Sequence, residues 1–313
     1  MIYHSSTTWV CSVAVATVWT SPESVRQIDA PGFENPVRLP KWLEALNYED
    51  LLDLCEDNRV QTQVLYGEPV LIDEIVGDWA KVNCIWQFSK KDERGYPGWI
   101  PLAQLKEMER ISDFGYAKVR LPKVQLFSKH REPLLVVPFN TILPVIDDLD
   151  DHTVVHTPHG DALILSEDIE RAPGIESFIE RIGVEVVSCA SKFVDIPYFW
   201  GGMSSYGYDC SGFSYNMFKG HGYFIPRDAD DQAKHGEEID LNDTSQWEVG
   251  DLLFFANEGS NKVRHVGIYY GNGQMIHSPS TGQSVEIIIL AGTKYAKELC
   301  AVSRYARTEE ESL

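Results

Sequence analysis

No stretch of the 313-residue chain is apolar for long enough to cross a bilayer as a helix. No segment repeats at a solenoid-type period, and none is of low complexity. Positive charge is scarce: 27 Lys and Arg stand against 47 Asp and Glu, a formal net charge of −20. Such a surface repels phosphate backbones and anionic headgroups alike, so neither nucleic acid nor a membrane is an expected partner. Tight docking on anionic wall polymers is disfavoured for the same reason. Paired cysteines at metal-ligand spacing are also missing. Cys11, Cys55, Cys84, Cys189, Cys210 and Cys300 lie far apart without CxxC, which argues against a structural zinc. No metal and no organic cofactor is expected. Reduced thiols in a chain this long fit a cytoplasmic protein. The apolar run from Trp9 to Trp19 lacks the Lys or Arg that precedes an export signal, although Ala14-Val15-Ala16 mimics a cleavage site. Val13, Val15 and Val18 suit a buried strand better. Cytoplasmic residence is the expectation, with export as the alternative.

What is present has room for two or three domains. Glycine and proline spread along the length suit small, loop-rich modules. Thr62 to Glu74, then Gly77-Asp78-Trp79-Ala80-Lys81-Val82 and Gly95-Tyr96-Pro97-Gly98-Trp99-Ile100-Pro101, read as short alternating strands between Gly and Asp turns. Such a run predicts a small β-barrel. An insertion with helical spacing (Leu43, Leu46, Leu51, Leu52, Leu54) sits inside it. A weaker copy of the strand pattern runs from Phe114 to Glu170, with Gly160-Asp161 as a turn. From Ile175 to Val194 the spacing predicts an amphipathic helix, with Ile175, Phe178, Ile179, Ile182, Val186, Cys189, Ala190 and Phe193 on one face. Pro173-Gly174 marks its start and a domain boundary, and Cys189 is then a core residue.

The chemistry concentrates at Asp209-Cys210-Ser211-Gly212-Phe213, where a glycine-rich loop turns into an amphipathic helix. A thiol in the first helical turn feels the positive end of the dipole, which lowers its pKa. Taken alone, Cys210 is as well read as a small buried hydrophobe. Histidine placement tips the balance. Gly250 to Phe255, Arg264 to Tyr270 and Gln274 to Ser278 read as successive strands, the last two joined by the hairpin signal Gly271-Asn272-Gly273. With an odd-numbered connection, His265 and His277 share a sheet face; a two-residue loop puts them on opposite faces. The odd connection is the expectation, so that one imidazole takes the thiol proton while the other orients it. Cys210 is then the nucleophile, His265 the base and acid, and His277 the orienter.

These pieces, with Pro197-Tyr198-Phe199-Trp200-Gly201-Gly202 and Ile225-Pro226-Arg227-Asp228, occur in the order of the NlpC family of bacterial cell-wall cysteine peptidases, which the chain resembles from about Pro173 to Arg307. The upstream modules resemble bacterial Src-homology-3-like domains. The resemblance implies an α+β fold: a papain-like domain (173–308) preceded by two small barrels (1–111 and 112–172), with an acidic tail at 309–313. It further implies a γ-D-glutamyl-L-diamino acid endopeptidase acting on murein peptides, whose first barrel helps build the substrate site. The backbone N–H of Cys210 and the Tyr198 hydroxyl are candidate oxyanion donors. Asp209 and Ser211 are expected to hold polar substrate groups, and Trp200 is equally well a core aromatic. Tyr96 matches the family tyrosine that receives the substrate's free L-Ala amine. The acidic partner of that tyrosine falls at Gln61, an uncharged residue, so Asp209 or Glu68 is expected as the amine's counter-ion. A thiol amidase or a hydrolase of intact wall is the alternative enzyme, and a binding module with a vestigial cysteine domain is the non-enzyme alternative.

Overall fold

The computed structural model describes residues 7–109, 114–178, 183–260 and 262–305. Ile179, Ile182 and the acidic tail, all named above, lie outside these ranges. The chain divides into two compact units, one reaching to Phe178 and including Met203–Tyr206, the other taking Ile179–Gly202 and the chain from Gly207 on.

The first unit contains two sheets. Strands β1 (Thr7–Cys11), β2 (Val15–Trp19), β3 (Val60–Leu65), β4 (Pro69–Val76), β5 (Trp79–Cys84), β6 (Tyr96–Pro101) and β7 (Leu105–Glu109) pair in the order β3-β2-β6-β5-β4-β1-β7. The apolar run from Trp9 to Trp19 thus supplies two strands, and every residue of β2 is buried. Its Val18 and Ala16 join Val64, Val82, Tyr96 and Ile100 in one core. Gly98 has a packing reason: a Cβ there would lie 2.5 Å from Val18 Cγ1 and 2.9 Å from the Trp19 carbonyl oxygen. The helical insertion forms α1 (Ala30–Phe33), α2 (Leu39–Ala45) and α3 (Tyr48–Glu56). Asn47 caps α3 by accepting from the Asp50 N–H at 3.0 Å.

The second sheet comprises β8 (Tyr116–Val119), β9 (Lys123–Phe127), β10 (Pro133–Pro138), β11 (Ile142–Leu149), β12 (His152–Thr157), β13 (Gly160–Leu165) and β14 (Ile169–Ala172), ordered β10-β9-β13-β12-β11-β8-β14. Among the described residues, neither sheet closes into the barrel expected from the sequence. Closure needs the outer strands to pair with each other, and here β3 and β7, like β10 and β14, end their series.

The two-residue strand β15 (Met203–Ser204) belongs to the first unit, and the second carries α4 (Val184–Ser191), the two-residue strand β16 (Gly207–Tyr208), α5 (Cys210–Lys219) and α6 (Ala229–His235). Its sheet comprises β17 (Glu237–Ile239), β18 (Leu252–Ala256), β19 (Val263–Gly271), β20 (Gln274–His277), β21 (Glu286–Ile289) and β22 (Leu299–Arg304), in the order β17-β22-β18-β19-β20-β21. A short helix, α7 (Tyr295–Glu298), precedes β22. β18 is buried along its whole length, as its apolar run Leu-Leu-Phe-Phe-Ala predicts for a central strand. The expected helix from Ile175 to Val194 is shorter than its apolar stripe: α4 begins after Gly183, whose φ of 100° is left-handed. Ile175 and Phe178 instead pack with Ile142 and Ala172 in the first unit.

Candidate active site

α5 begins at Cys210, with Asp209 as its N-cap in extended conformation. Asp209 is 6% exposed, and its carboxylate accepts from the backbone N–H groups of Gly212 at 2.6 Å and Gly201 at 2.9 Å. The Arg227 guanidinium, 2% exposed, closes on the same group, with Nη2 2.6 Å from Oδ2 and Nη1 3.2 Å from Oδ1. Arg227 Nη1 also donates to Ser211 Oγ at 2.8 Å. Both carboxylate oxygens are therefore engaged within the protein, so a substrate ammonium reaches Asp209 only as a further donor. Arg227 had no role in the sequence reading. The Ile-Pro-Arg-Asp segment was the signal, but nothing in its spacing reveals that the charge folds back beneath the nucleophile helix.

α5 packs against β19, which carries His265. The backbone of Val266, the residue after His265, is close enough to Cys210 to lower its thiol pKa, which sets the thiol near that part of β19. His265 Nε2 lies 2.8 Å from His277 Nδ1, and both rings are buried. The two histidines share a face for a reason the loop length alone does not disclose. Asn272 and Gly273, both at positive φ, form a two-residue turn closed by Gly271 opposite Gln274, yet the register shifts between Tyr269 and Gly271. That bulge adds the residue that restores odd parity. Gly267 completes the arrangement: a Cβ there would lie 2.8 Å from Met275 Sδ and 3.2 Å from His277 Cβ. Without a side chain at Gly267, His277 lies close against β19. Tyr295 and Phe255 wall the pair, with ring centroids of Tyr295 5.2 Å from His265 and 5.0 Å from His277, and Phe255 5.7 Å from His265.

The electrostatics correct one expectation. Burial, and then the charge of Asp209, push the Cys210 thiol up to about 12, against the N–H of Val266 and the Arg227 charge. The helix terminus is outweighed because the half-buried thiol lies in apolar surroundings beside a carboxylate. Burial also holds His265 well below the ordinary histidine range, aided by His277, Arg264 and Lys294. His277 is lowered to about 4 by burial and by Lys294. At each of the three groups burial acts in the same sense, favouring the uncharged form.

Tyr198 is buried in the second unit, its N–H donating to the Gln283 carbonyl at 2.8 Å, and Trp200 is half-buried. In the first unit, Tyr96 and Gln61 meet at one cation. Lys91 Nζ donates to Gln61 Oε1 at 2.7 Å and to the Tyr96 hydroxyl. Glu68 accepts from the Leu65 N–H at 3.0 Å in its own turn. Lys91 was missed because a lysine in a charged loop carries no sequence signal of what it touches.

Comparison with known proteins gives a consistent result. Residues 195–304 match the NlpC/P60 family, and residues 119–171 match the YKFC SH3b2 domain. A γ-D-glutamyl-L-lysine dipeptidyl-peptidase of Bacillus subtilis is 41% identical over 93% of this chain and 96% of its own. A protein of the same name from Bacillus cereus is 35% identical, covering 94% and 89%. The crystal structure of an NlpC/P60 family protein from Bacillus cereus superposes with a TM-score of 0.89 at 34% identity, covering 96% of this chain and all of that one.

Proposed function

The chain belongs to the NlpC/P60 family and is a cysteine peptidase, and from that premise we propose that it hydrolyses the γ-D-glutamyl–L-diamino acid bond of murein peptides, releasing L-Ala-γ-D-Glu. Similarity along nearly the whole chain to two γ-D-glutamyl-L-lysine dipeptidyl-peptidases supports the substrate class. The chemistry rests on the 2.8 Å contact between His265 Nε2 and His277 Nδ1 behind the nucleophile helix. Since Nε2 of His265 faces His277, Nδ1 is the nitrogen left to take the Cys210 proton. The sulfur then attacks the γ-glutamyl carbonyl, and the Cys210 N–H and Tyr198 hydroxyl receive the developing oxyanion. His265 returns its proton to the departing diamino-acid amine, and water hydrolyses the thioester. Ser211 and Trp200 complete the reading as substrate contacts.

The finer reading is a recycling enzyme that selects peptides with a free N-terminal L-Ala, with Tyr96 as an acceptor for that amine. One observation favours a second reading. The Lys91 ammonium already occupies Tyr96 and Gln61, and a second cation there is repelled, whereas an acylated nitrogen is not. That suits stems still attached to the wall. Mass spectrometry of products from L-Ala-γ-D-Glu-L-Lys and its N-acetyl form separates the two. Strong preference for the free amine supports recycling, equal or better cleavage of the acetylated peptide supports a wall hydrolase, and cleavage of neither refutes the bond assignment.

A further inference from the structure

Beyond Cys210, His265 and His277, one acidic side chain stands at the end of the same line of atoms. Glu286 is directly opposite His277 in the β20–β21 register, and its Oε1 lies 3.4 Å from His277 Nε2. That nitrogen is buried, His277 being 0% exposed, and among the described residues it has no hydrogen-bond partner. The tautomer of His277 follows from its other nitrogen. When His265 carries the thiol proton, both its ring nitrogens are protonated and Nε2–H must donate to His277 Nδ1. Nδ1 is then an acceptor, and the single proton of neutral His277 resides on Nε2, aimed at Glu286.

We propose that Glu286 is a positioning residue for the reaction: its carboxylate accepts the Nε2–H of His277, locks the tautomer that presents Nδ1 to His265, and balances the cation formed when His265 takes the proton. This rests on the reading that Cys210, His265 and His277 act together. At 3.4 Å the contact is longer than a well-formed hydrogen bond. Catalytic hydrogen bonds that are long without substrate commonly tighten in its complex. The charges around the pair make such an acceptor useful. Lys294, which precedes α7, and Arg264 on β19 both oppose a cation on His265, while Arg264 is itself paired with Glu298. Tyr295 packs its ring against both imidazoles, and Asp209 and Arg227 flank the thiol. Glu286 sits on the acidic side of that balance. With its side chain 47% exposed, its effect is expected at the lower end for a charge-assisted hydrogen bond.

The test compares the full-length protein with Glu286→Ala, Glu286→Gln and Cys210→Ala, using L-Ala-γ-D-Glu-L-Lys as substrate and the 15N shifts of the histidine ring nitrogens. Glu286→Ala should lower kcat about tenfold with KM unchanged, and move His277 from the Nε2–H tautomer to a mixture. Glu286→Gln should recover part of both, because its amide oxygen still accepts. Wild-type kcat and an unchanged tautomer in both Glu286 variants, with Cys210→Ala inactive, would overturn the proposal and leave the catalytic reading standing. Activity in Cys210→Ala would overturn both, since the relay would then serve no nucleophile.

Discussion

Replacing Asp209 by Asn separates the structural from the chemical roles of the charge beneath the nucleophile helix. Asn caps a helix about as well as Asp, so the bond to the Gly212 N–H survives. What disappears is the charge of the carboxylate that Arg227 meets at 2.6 Å, the guanidinium being 2% exposed. Ser211 Oγ remains on Nη1 but carries no charge. Breaking a buried pair by removing one partner costs about 3–5 kcal/mol, because the other charge stays desolvated. For a unit of this size that corresponds to a fall in Tm of roughly ten degrees. Scanning calorimetry reads it directly. Asp209→Asn combined with Arg227→Met should lose less than Asp209→Asn alone, since the buried guanidinium is then removed as well. A second readout tests the electrostatics. Asp209 raises the Cys210 thiol and Arg227 lowers it, so iodoacetamide at mildly alkaline pH should alkylate Cys210 faster in Asp209→Asn and slower in Arg227→Met. A Tm within a degree of wild type would show that the pair is not desolvated in solution, and slower alkylation of Asp209→Asn would refute the sign of the carboxylate's influence.

Three further outcomes are expected. Cys210→Ala should fold as wild type and retain less than about a thousandth of its turnover, and residual activity above that level in a peptide-release assay would refute the nucleophile. His277 is held at about 4 in the folded protein against an ordinary 6.5, so the unfolded state binds the extra proton. Its contribution is present above pH 6.5 and is lost as pH falls towards 4, roughly 3 kcal/mol in all. Denaturation curves of wild type and His277→Gln should therefore diverge over that window and nowhere above it, and parallel curves would show that the imidazole is not buried neutral. Lys91→Met removes the ammonium that occupies Gln61 and Tyr96. KM for L-Ala-γ-D-Glu-L-Lys should fall while that of the N-acetyl peptide stays constant, and an equal change in both would detach Lys91 from amine recognition.

The sheets and helices were legible where burial and turn chemistry agree. β18 could be read from an unbroken apolar run between Asp251 and Asn257, and α5 from Asp209 at its start and the Phe213–Met217 spacing. The first sheet was legible as strands because Gly77-Asp78 and Gly95 punctuate it. Its closure was not, since pairing between the first and last strands of a sheet depends on contacts that no local pattern encodes. The stripe from Ile175 to Phe193 misled because its apolar residues serve two cores. Ile175 and Phe178 pack with the first unit, while Val186, Ala190 and Phe193 are buried in the second. Periodicity counts apolar residues without regard to the partner that buries them.

At the site, residue types were legible and pair interactions were not. The shared face of His265 and His277 followed from parity, but its means did not, because a bulge at Tyr270 supplies the odd residue that the Asn272-Gly273 turn lacks. A type of turn is written in its residues; a bulge is written in the contacts of both strands. The same distinction explains the thiol. Proximity to a helix N-terminus is visible in sequence and lowers a thiol pKa, whereas burial and the neighbouring Asp209, which win here, depend on what the fold places around Cys210. Burial opposes charge on the thiol and on both imidazoles alike. A charge that forms there is received by the aligned pair of rings, 2.8 Å apart. That shifts weight onto the residues holding the rings in line: Gly267, which lets the strands approach, Tyr295, which walls both imidazoles, and Glu286 at the far nitrogen of His277.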